Sequence, residues 1–439
     1  MTKPLSISPA SCAKRRKQLM RMAGDDAILV LPAAPERIRS RDTHYPYRQD
    51  SDLLYLADFP EPDAVLVLVP GRRHGEAILF CRERDPEREG WDGPRCGPEG
   101  AVDQYGMDDA YPIADLDEIL PGLLEGRSRV YYHFGRDAEF DLKLIGWVNR
   151  VRAMMRMGAQ PPHEFLELGH LLDEMRLFKS REEIRLMQRA ADISVLAHQA
   201  AMRASRAGVR EYALQAEIER VFRQHDAVPA YGSIVGAGAN ACVLHYVAND
   251  APLKDGDLLL IDAGCELDGY ASDITRTFPV NGRFIGAQRD IYELVLASQA
   301  AAIAQVRPGK SWQDPHDAAV KVLAQGFLDL GLCKGSLDTV IESADYRRFY
   351  MHRTGHWLGM DVHDCGDYKR DGSWRPLVEG MVLTVEPGCY VRPGEGVPEQ
   401  FWNIGVRIED DAVVTASGCE IITADAPKAI ADIEALMRH

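Results

Sequence analysis

The feature that most constrains this chain is a set of acidic side chains that end or interrupt apolar, strand-like runs. Asp262 ends the run LLLID, Glu386 ends VLTVE, Glu409 lies within VRIED, and Asp273 follows shortly after the first run. A carboxylate in such a strand is costly to bury unless it is paired or bound to a metal ion. The chain therefore requires a fold in which the negative charge of these strands is compensated.

The first two acids allow two interpretations. A turn at Asp268–Gly269 predicts a hairpin that places Asp262 and Asp273 on neighbouring strands, on the same face. A structural ion pair or a turn aspartate explains such a pair as well as a metal site does. Both interpretations stay open on these residues alone.

Histidines are concentrated in one short segment. His352, His356 and His363 lie within twelve residues of a chain that has 13 histidines, with Gly355 and Gly359 between them. A single histidine is most often a core residue, whereas three together favour catalysis or metal binding. Four carboxylates and one imidazole form an oxygen-rich ligand set that suits Mn²⁺, Co²⁺ or Zn²⁺. Carboxylates can also bridge two ions about 3.5–4 Å apart.

Other classes of function are disfavoured. The net charge of −16 opposes binding to nucleic acid, and the basic run Lys14–Lys17 is typical of the solvated face of a helix. The GxGxxA segment 236–241 precedes a strand-like run at 242–247, whereas a dinucleotide fingerprint requires a helix there. Nine scattered cysteines, no apolar stretch of membrane-spanning length and no apolar N-terminal segment predict a cytoplasmic protein with no membrane contact.

The chain order indicates two domains. Short apolar strands alternate with helices in the first part, which predicts a small α/β domain, and residues 82–94 predict a long surface loop. Gly158–Pro162 is a candidate linker. Later, the order of two helices followed by strands occurs twice and suggests a duplicated α+β half. The predicted helices are Asp137–Met155, Arg181–Ser205 with Ser180 as N-cap, Glu211–His225, Asp290–Val306 and Asp314–Leu330.

These residues carry a family resemblance. The chain resembles the pita-bread metallopeptidases, which include methionine aminopeptidase, prolidase and aminopeptidase P, and it is most similar to the aminopeptidase P branch. The similarity includes YRQDSD at 47–52, EPDAVLVL at 61–68, MRLFKS at 175–180 and the order of the five candidate ligands. The implied fold class is α+β, with a smaller α/β N-terminal domain at residues 1–175 and a pita-bread (duplicated αβ) catalytic domain at 176–439.

The resemblance implies a two-metal centre. By correspondence of motifs, two divalent ions, with Mn²⁺ expected ahead of Co²⁺ or Zn²⁺, are bound by Asp262, Asp273, His356, Glu386 and Glu409. Glu386 is further implied to carry a proton between the attacking water and the leaving nitrogen.

The resemblance also implies residues that hold the substrate. His245 and His352 are expected to line a pocket for proline, and His363 to hydrogen-bond the substrate carbonyl. Tyr390 and Arg407 are expected to support the substrate and the acidic ligands. Without the resemblance, Arg407 is equally an ordinary ion-pair residue of a strand, and the two roles are compatible.

The implied activity is release of the N-terminal residue from peptides with proline at the second position. Two alternatives stay open: a prolidase restricted to Xaa-Pro dipeptides, and a non-catalytic binding module on the same fold. The resemblance implies a homodimer or homotetramer, in which Trp91, in an exposed glycine-rich loop, contributes to a neighbouring subunit's site. A Trp91 side chain that folds onto its own domain is the alternative.

Overall fold

The protein forms two compact units in a computed structural model that describes residues 6–438. One unit consists of residues Ile7–Arg176, and the other contains the chain from Leu177 onward. Within the described residues, no helix combines the length and the apolar character that crossing a bilayer demands.

The first unit is built around a six-stranded mixed sheet with helices beside it. The sheet order is β6-β5-β4-β1-β7-β8, with β1 parallel to β7 and antiparallel to β4. Its elements are α1 (Pro9–Ala23), β1 (Ala27–Pro32), β2 (Ile38–Ser40), β3 (Thr43–His44), α2 (Ser51–Ala57), β4 (Val65–Leu68), β5 (Ala77–Cys81), α3 (Pro86–Asp92), α4 (Gly97–Tyr105), β6 (Asp109–Pro112), α5 (Leu116–Leu124), β7 (Arg129–Tyr132), α6 (Ala138–Ala153), β8 (Glu164–Glu167) and α7 (Gly169–Leu177).

Two predictions for this unit are wrong. In the basic run Lys14–Lys17 of α1, which was expected on a solvated face, Arg15 and Arg16 are buried and donate to backbone carbonyl oxygens of α2 and of Gly106. Residues 82–94 were expected to form a loop, but α3 occupies Pro86–Asp92. The Asp85 side chain accepts hydrogen bonds from the backbone N–H groups of Glu87 and Arg88, and Pro86 takes a position near the helix start that suits its missing N–H. A capped start therefore overrides the polar, glycine-containing composition. The candidate linker Gly158–Pro162 connects α6 to β8 within this unit.

The second unit carries two sets of helices, each followed by strands. Its elements are α8 (Arg181–Ala204), α9 (Glu211–Gln224), β9 (Val228–Pro229), β10 (Ile234–Ala237), β11 (Leu258–Asp262), β12 (Cys265–Leu267), β13 (Tyr270–Ala271), β14 (Thr275–Pro279), α10 (Gly286–Ile303), α11 (Gln313–Asp329), α12 (Leu337–Glu342), β15 (Lys369–Arg370), β16 (Ser373–Trp374), β17 (Val382–Val385), β18 (Gly388–Val391), β19 (Ile404–Arg407), β20 (Asp410–Val414), β21 (Cys419–Ile421) and α13 (Ile430–Leu436).

The strands that approach the candidate site belong to three small sheets. Their orders are β10-β11-β14, β17-β20-β21 and β18-β19. The predicted start of α8 is confirmed: the Ser180 hydroxyl accepts from the Glu183 N–H, and the Glu183 carboxylate accepts from the Ser180 N–H. This reciprocal cap fixes the chain at the beginning of the long helix.

The hairpin turn at Asp268–Gly269 is confirmed, but Asp273 does not lie on a strand. Leu267 pairs with Tyr270 across the turn, and both turn residues have positive φ, as a two-residue hairpin turn requires. A separate strand pair, β12–β13, fills the interval after Asp262. Asp273 therefore lies in the connection just before β14, whose Thr275 pairs with Asp262.

A further prediction that fails concerns the run after the GxGxxA segment. Residues 242–247 were expected to be strand-like, but Cys242 ends a 3-10 helix (Gly238–Cys242) and residues 243–247 form no strand. The buried Glu211 carboxylate instead accepts hydrogen bonds from the backbone of Ala237 and Ala251 and from the side chains of Asn240 and Tyr246. These bonds hold the segment as an irregular loop.

Candidate metal centre

Five separate chain segments bring the predicted ligands together. Asp262 ends β11 and Asp273 precedes β14. Glu386 directly follows β17, and Glu409 lies between β19 and β20. His356 comes from the loop that precedes β15. Four of the five positions are at strand ends, where an apolar strand fixes the backbone and the acidic side chain emerges at its edge.

The ligand atoms lie close to one another. Asp273, His356 and Glu409 each offer one atom such that all three atoms fall within 4.8 Å of one another. His356 Nε2 is 3.5 Å from Asp273 Oδ2 and 3.7 Å from Glu386 Oε1. The interpretation as a turn aspartate therefore fails for Asp273, which lies in a cluster of possible ligand atoms.

Tyr231 joins Asp262 to the cluster and was not identified from the sequence. Its hydroxyl oxygen is 2.6 Å from Asp262 Oδ1 and 2.5 Å from Asp273 Oδ1. A hydroxyl has one proton and can donate to only one carboxylate at a time. No local motif marks this tyrosine, because its contacts are two aspartates that come later in the chain.

Arg407 connects two of the acids. Its guanidinium donates to Asp262 Oδ2 at 2.5 Å through Nη2 and to Thr275 Oγ1 at 3.0 Å through Nε. The Thr275 hydroxyl donates in turn to Glu409 Oε2 at 2.6 Å. The arginine is therefore an ion-pair residue that also orients the ligands. Thr275 is a second residue that sequence patterns did not indicate.

The electrostatics of the cluster call for cations. Burial raises the pKa of Asp262, raises that of Glu386 to about 7, and raises that of Glu409 well above its usual range. Burial opposes ionisation of Asp273 too, but the hydrogen bond and charge of His356 lower its pKa. Arg407 and His356 alone thus do not compensate the negative charge of four ionised acids. Divalent ions would supply the missing positive charge and fit the site.

His356 has the orientation that binding of a metal ion would require. Its Nδ1 lies 3.0 Å from the carbonyl oxygen of Trp357, so Nδ1–H donates there and Nε2 faces the acids. Burial opposes its charge, but the Asp273 hydrogen bond and the Glu386 charge raise its pKa to about 9. Nε2 therefore carries a proton. A metal ion bound there would replace this proton and bind the neutral imidazole. Gly355 permits this position, because a Cβ there would collide with the Thr384 carbonyl oxygen.

A chain of hydrogen bonds runs from Arg407 into the predicted proline pocket. Arg407 Nη1 donates to the Tyr390 hydroxyl at 3.0 Å, and that hydroxyl lies 2.9 Å from His352 Nε2. His352 Nδ1 is 2.7 Å from the Arg353 carbonyl oxygen, so the ring carries its proton on Nδ1 and accepts from Tyr390. Burial and the Arg407 charge lower the pKa of His352 to about 3. The ring is therefore neutral.

The remaining predicted residues divide into two groups. His363 stacks edge-on against His356, with ring centroids 4.4 Å apart. His245 is exposed, and it contributes to the lowered pKa of both His352 and His363, which puts it within electrostatic range of their rings. Trp91 belongs to the first unit, where it lies in α3 rather than in a loop and is 85% exposed. It is not folded onto its own unit.

Two family models match the chain. Residues 185–416 match the model described as metallopeptidase family M24. Residues 12–131 match the model described as the aminopeptidase P N-terminal domain.

Curated relatives and solved structures are similar over nearly the full length. The chain is 44% identical to the Xaa-Pro aminopeptidase of Escherichia coli K12 over 98% of each chain, and 45% identical to that of Haemophilus influenzae over 97% of this chain and 96% of the relative. It is similar to the structure of Pseudomonas aeruginosa aminopeptidase PepP, with 56% identity, a TM-score of 0.98 and coverage of 99% and 98%. It is also similar to zinc-substituted E. coli aminopeptidase P in complex with product, with 44% identity, a TM-score of 0.96 and 98% coverage of each chain.

Proposed function

Because this chain belongs to metallopeptidase family M24, we propose that it is a metal-dependent Xaa-Pro aminopeptidase. It hydrolyses the bond between an N-terminal residue and a following proline. The observation that carries this proposal is the convergence of Asp262, Asp273, His356, Glu386 and Glu409, with three of their ligand atoms within 4.8 Å of one another. A non-catalytic binding module would have no need of this complete set of ligands.

The proposed cofactor is a pair of divalent ions, with Mn²⁺ as the preferred metal. Four carboxylates carry more negative charge than one divalent ion and Arg407 together balance, whereas two ions balance it. The donors are oxygen atoms and one imidazole nitrogen, which suits Mn²⁺ and also admits Co²⁺ or Zn²⁺. Divalent ions bound there would lower the pKa of a water molecule to about 7 and polarise the scissile carbonyl.

The chain's own residues supply the remaining chemistry. Burial and the His356 charge lower the pKa of His363, so its imidazole is neutral near pH 7 and has one N–H to donate to the developing oxyanion. Glu386, whose carboxylate lies 3.7 Å from His356 Nε2 in the cluster, is proposed to accept a proton from water and to deliver it to the leaving proline nitrogen. Arg407 holds Asp262 and, through Thr275, Glu409 in their orientations.

Proline is proposed to be recognised by shape. It lacks an N–H, so the pocket has no donor to satisfy at that position. His352 is held neutral and rigid by Tyr390 and the Arg353 carbonyl, and its ring offers a flat wall. His245, which is exposed and within electrostatic range of that ring, is proposed as the opposite wall.

The protein is proposed to act on peptides as a homodimer or homotetramer in the cytoplasm. All nine cysteines are free thiols, which suits a reducing compartment. Trp91, exposed on the first unit, is proposed to reach the site of a neighbouring subunit.

Product analysis of two peptides tests the proposed function. Protein loaded with Mn²⁺ is incubated with Arg-Pro-Pro and with Ala-Pro, and the products are identified by mass spectrometry. We expect release of Arg from the tripeptide. Cleavage of Ala-Pro alone would make the protein a prolidase, and cleavage of neither peptide by metal-loaded protein would contradict a peptidase function.

A further inference from the structure

A buried ion pair lies directly beside His363. Lys179 Nζ is 2.8 Å from Asp364 Oδ2, and both side chains are only 1% exposed. Asp364 is the residue after His363, and Lys179 is the residue before Ser180, the N-cap of α8. The pair thus ties the segment that carries His363 to the start of a long helix 185 residues away in the chain.

The segment itself is a tight turn closed on Asp364. The Asp364 N–H donates to the Trp357 carbonyl oxygen at 2.9 Å, and the Gly359 carbonyl accepts from the Ala271 N–H at 2.8 Å. A Cβ on Gly359 would collide with Asp364 Oδ2. The Asp364 carboxylate therefore occupies the inside of the turn, where its position determines the path of the backbone on both sides.

Lys179 is held as firmly as the turn. Its N–H donates to the Gly380 carbonyl oxygen at 2.8 Å, and the capping box of Ser180 and Glu183 fixes the residues that follow. The ammonium group is therefore presented from rigid backbone. Through its ion pair with Asp364, Lys179 fixes the position of the backbone next to His363.

Stability alone does not explain such a pair. Removing two charges from water costs about as much as their attraction returns, and an apolar pair of similar volume is often equally stabilising. An ion pair differs from an apolar contact in its direction, because it aligns one oxygen with one nitrogen. At 1% exposure that alignment is not screened by solvent.

We propose that Lys179 is a positioning residue for His363, acting through Asp364. The proposal rests on the proposed function, in which the His363 N–H stabilises the oxyanion. The hydrogen bonds described for Lys179 Nζ go to Asp364 and to the Leu177 carbonyl oxygen, and none goes to a candidate ligand. Its effect is to hold the His363 ring against His356, where a displacement of about 1 Å would cost up to 10²-fold in rate.

The test compares kcat and KM for release of Arg from Arg-Pro-Pro. Lys179→Met is expected to lower kcat about tenfold or more with little change in KM, because the lost interaction acts only in the transition state. Metal content, measured on the same samples, is expected to stay at the wild-type value. Lys179→Arg keeps the charge and is expected to recover part of the loss.

A double-mutant cycle separates positioning from a general effect. The variant Lys179→Met/His363→Ala is expected to be no slower than His363→Ala, because Lys179 then has no histidine to position. Losses that multiply in the double variant, or an unchanged kcat in Lys179→Met, would overturn the proposal.

The matched control is Arg176→Met in the first unit, which breaks another buried pair, Arg176 with Asp52 at 2.8 Å. It is expected to lower the melting temperature without lowering kcat. An equal fall in kcat would overturn the proposal, because the effect would then be general. If Lys179→Met does not fold, the apolar pair Lys179→Met/Asp364→Leu takes its place, with the same expected loss of kcat.

A second readout does not depend on activity. The ring resonances of His363, assigned by their absence in His363→Ala, are expected to shift in Lys179→Met while those of His316 stay in place. Unchanged His363 resonances would contradict the positioning role. Failure of the wild-type protein to release Arg would contradict the proposed function instead, and the two failures are thus distinguishable.

Discussion

At the scale of single residues, Arg407 links the candidate ligand cluster to the proposed proline pocket. Its guanidinium contacts Asp262, Thr275 and Tyr390 within 3.0 Å, and its side chain is buried. These contacts hold Asp262 and Tyr390 in place and, through the Thr275 hydroxyl, Glu409. Arginine suits this place because its planar fork presents several donors in fixed directions.

Tyr231 is expected to strengthen metal binding. Tyr231→Phe removes the hydroxyl that contacts Asp262 and Asp273, and outer contacts of this kind are typically worth about 10–100-fold in metal affinity. Titration of metal-free protein with Mn²⁺, followed by calorimetry, measures the change. Tyr212→Phe, at an exposed tyrosine, is the control, and equal affinity of the two variants would contradict this role.

Glu386 is expected to be indispensable for turnover. Glu386→Gln keeps the shape of the side chain but removes its capacity to accept a proton, so kcat for Arg-Pro-Pro is expected to fall by about 10²-fold or more. Glu379→Gln, on an exposed residue nearby in the sequence, should behave as wild type. A Glu386→Gln enzyme that retains most of its kcat would exclude a proton-transfer role.

At the scale of elements, the buried acids at the ends of the strands make the stability of the metal-free protein depend on pH. Metal-free protein is expected to lose stability as the pH rises from about 5 to 8. The pKa of Glu386 is 4.5 in the unfolded chain and about 7 when folded. The proton therefore stabilises the folded state fully below pH 4.5, and this contribution, on the order of 3 kcal/mol, is lost as the pH approaches 7. Asp273, whose pKa is lowered, loses its contribution only in acid.

Thermal unfolding at several pH values measures this effect. The melting temperature of the metal-free protein should fall across this range, and the fall should be smaller in Glu386→Gln. With Mn²⁺ bound, the melting temperature near pH 8 should rise above that of the metal-free protein. A metal-free protein whose stability does not change between pH 5 and 8 would contradict the raised pKa values.

Much of the site is predictable from the sequence, because an acid at the end of an apolar strand is both rare and costly. The helix start at Ser180 is equally predictable from the sequence, because its cap is formed by residues that are neighbours in the chain. Two features were not predictable from the sequence, namely the loop of residues 243–248 and the contacts of Tyr231. Their partners, Glu211 and the two aspartates, are distant in the chain. The start of α3 was predictable, because Asp85–Pro86 is a recognisable start of a helix. The charged residues around it led to the prediction of a loop instead.

At the scale of the whole molecule, the first unit presents an exposed tryptophan. Its α3 carries Trp91 with 85% of the residue exposed, an unusual state for the largest side chain. Trp91→Ala is expected to lower turnover of Arg-Pro-Pro or to shift the oligomeric state, as measured by kinetics and by light scattering. A variant that keeps both properties would exclude a role at a neighbouring subunit's site.

The most direct test of the account is metal-dependent release of Arg from Arg-Pro-Pro by wild-type protein, Asp273→Asn and Asp268→Asn. Asp273 lies in the ligand cluster, whereas Asp268 lies in the exposed hairpin turn, where asparagine is equally acceptable. Wild type and Asp268→Asn are expected to release Arg with Mn²⁺ and to stop when a chelator is added, and Asp273→Asn is expected to release almost none. Full activity of Asp273→Asn, or of chelated wild-type protein, would contradict metal-dependent hydrolysis at this cluster.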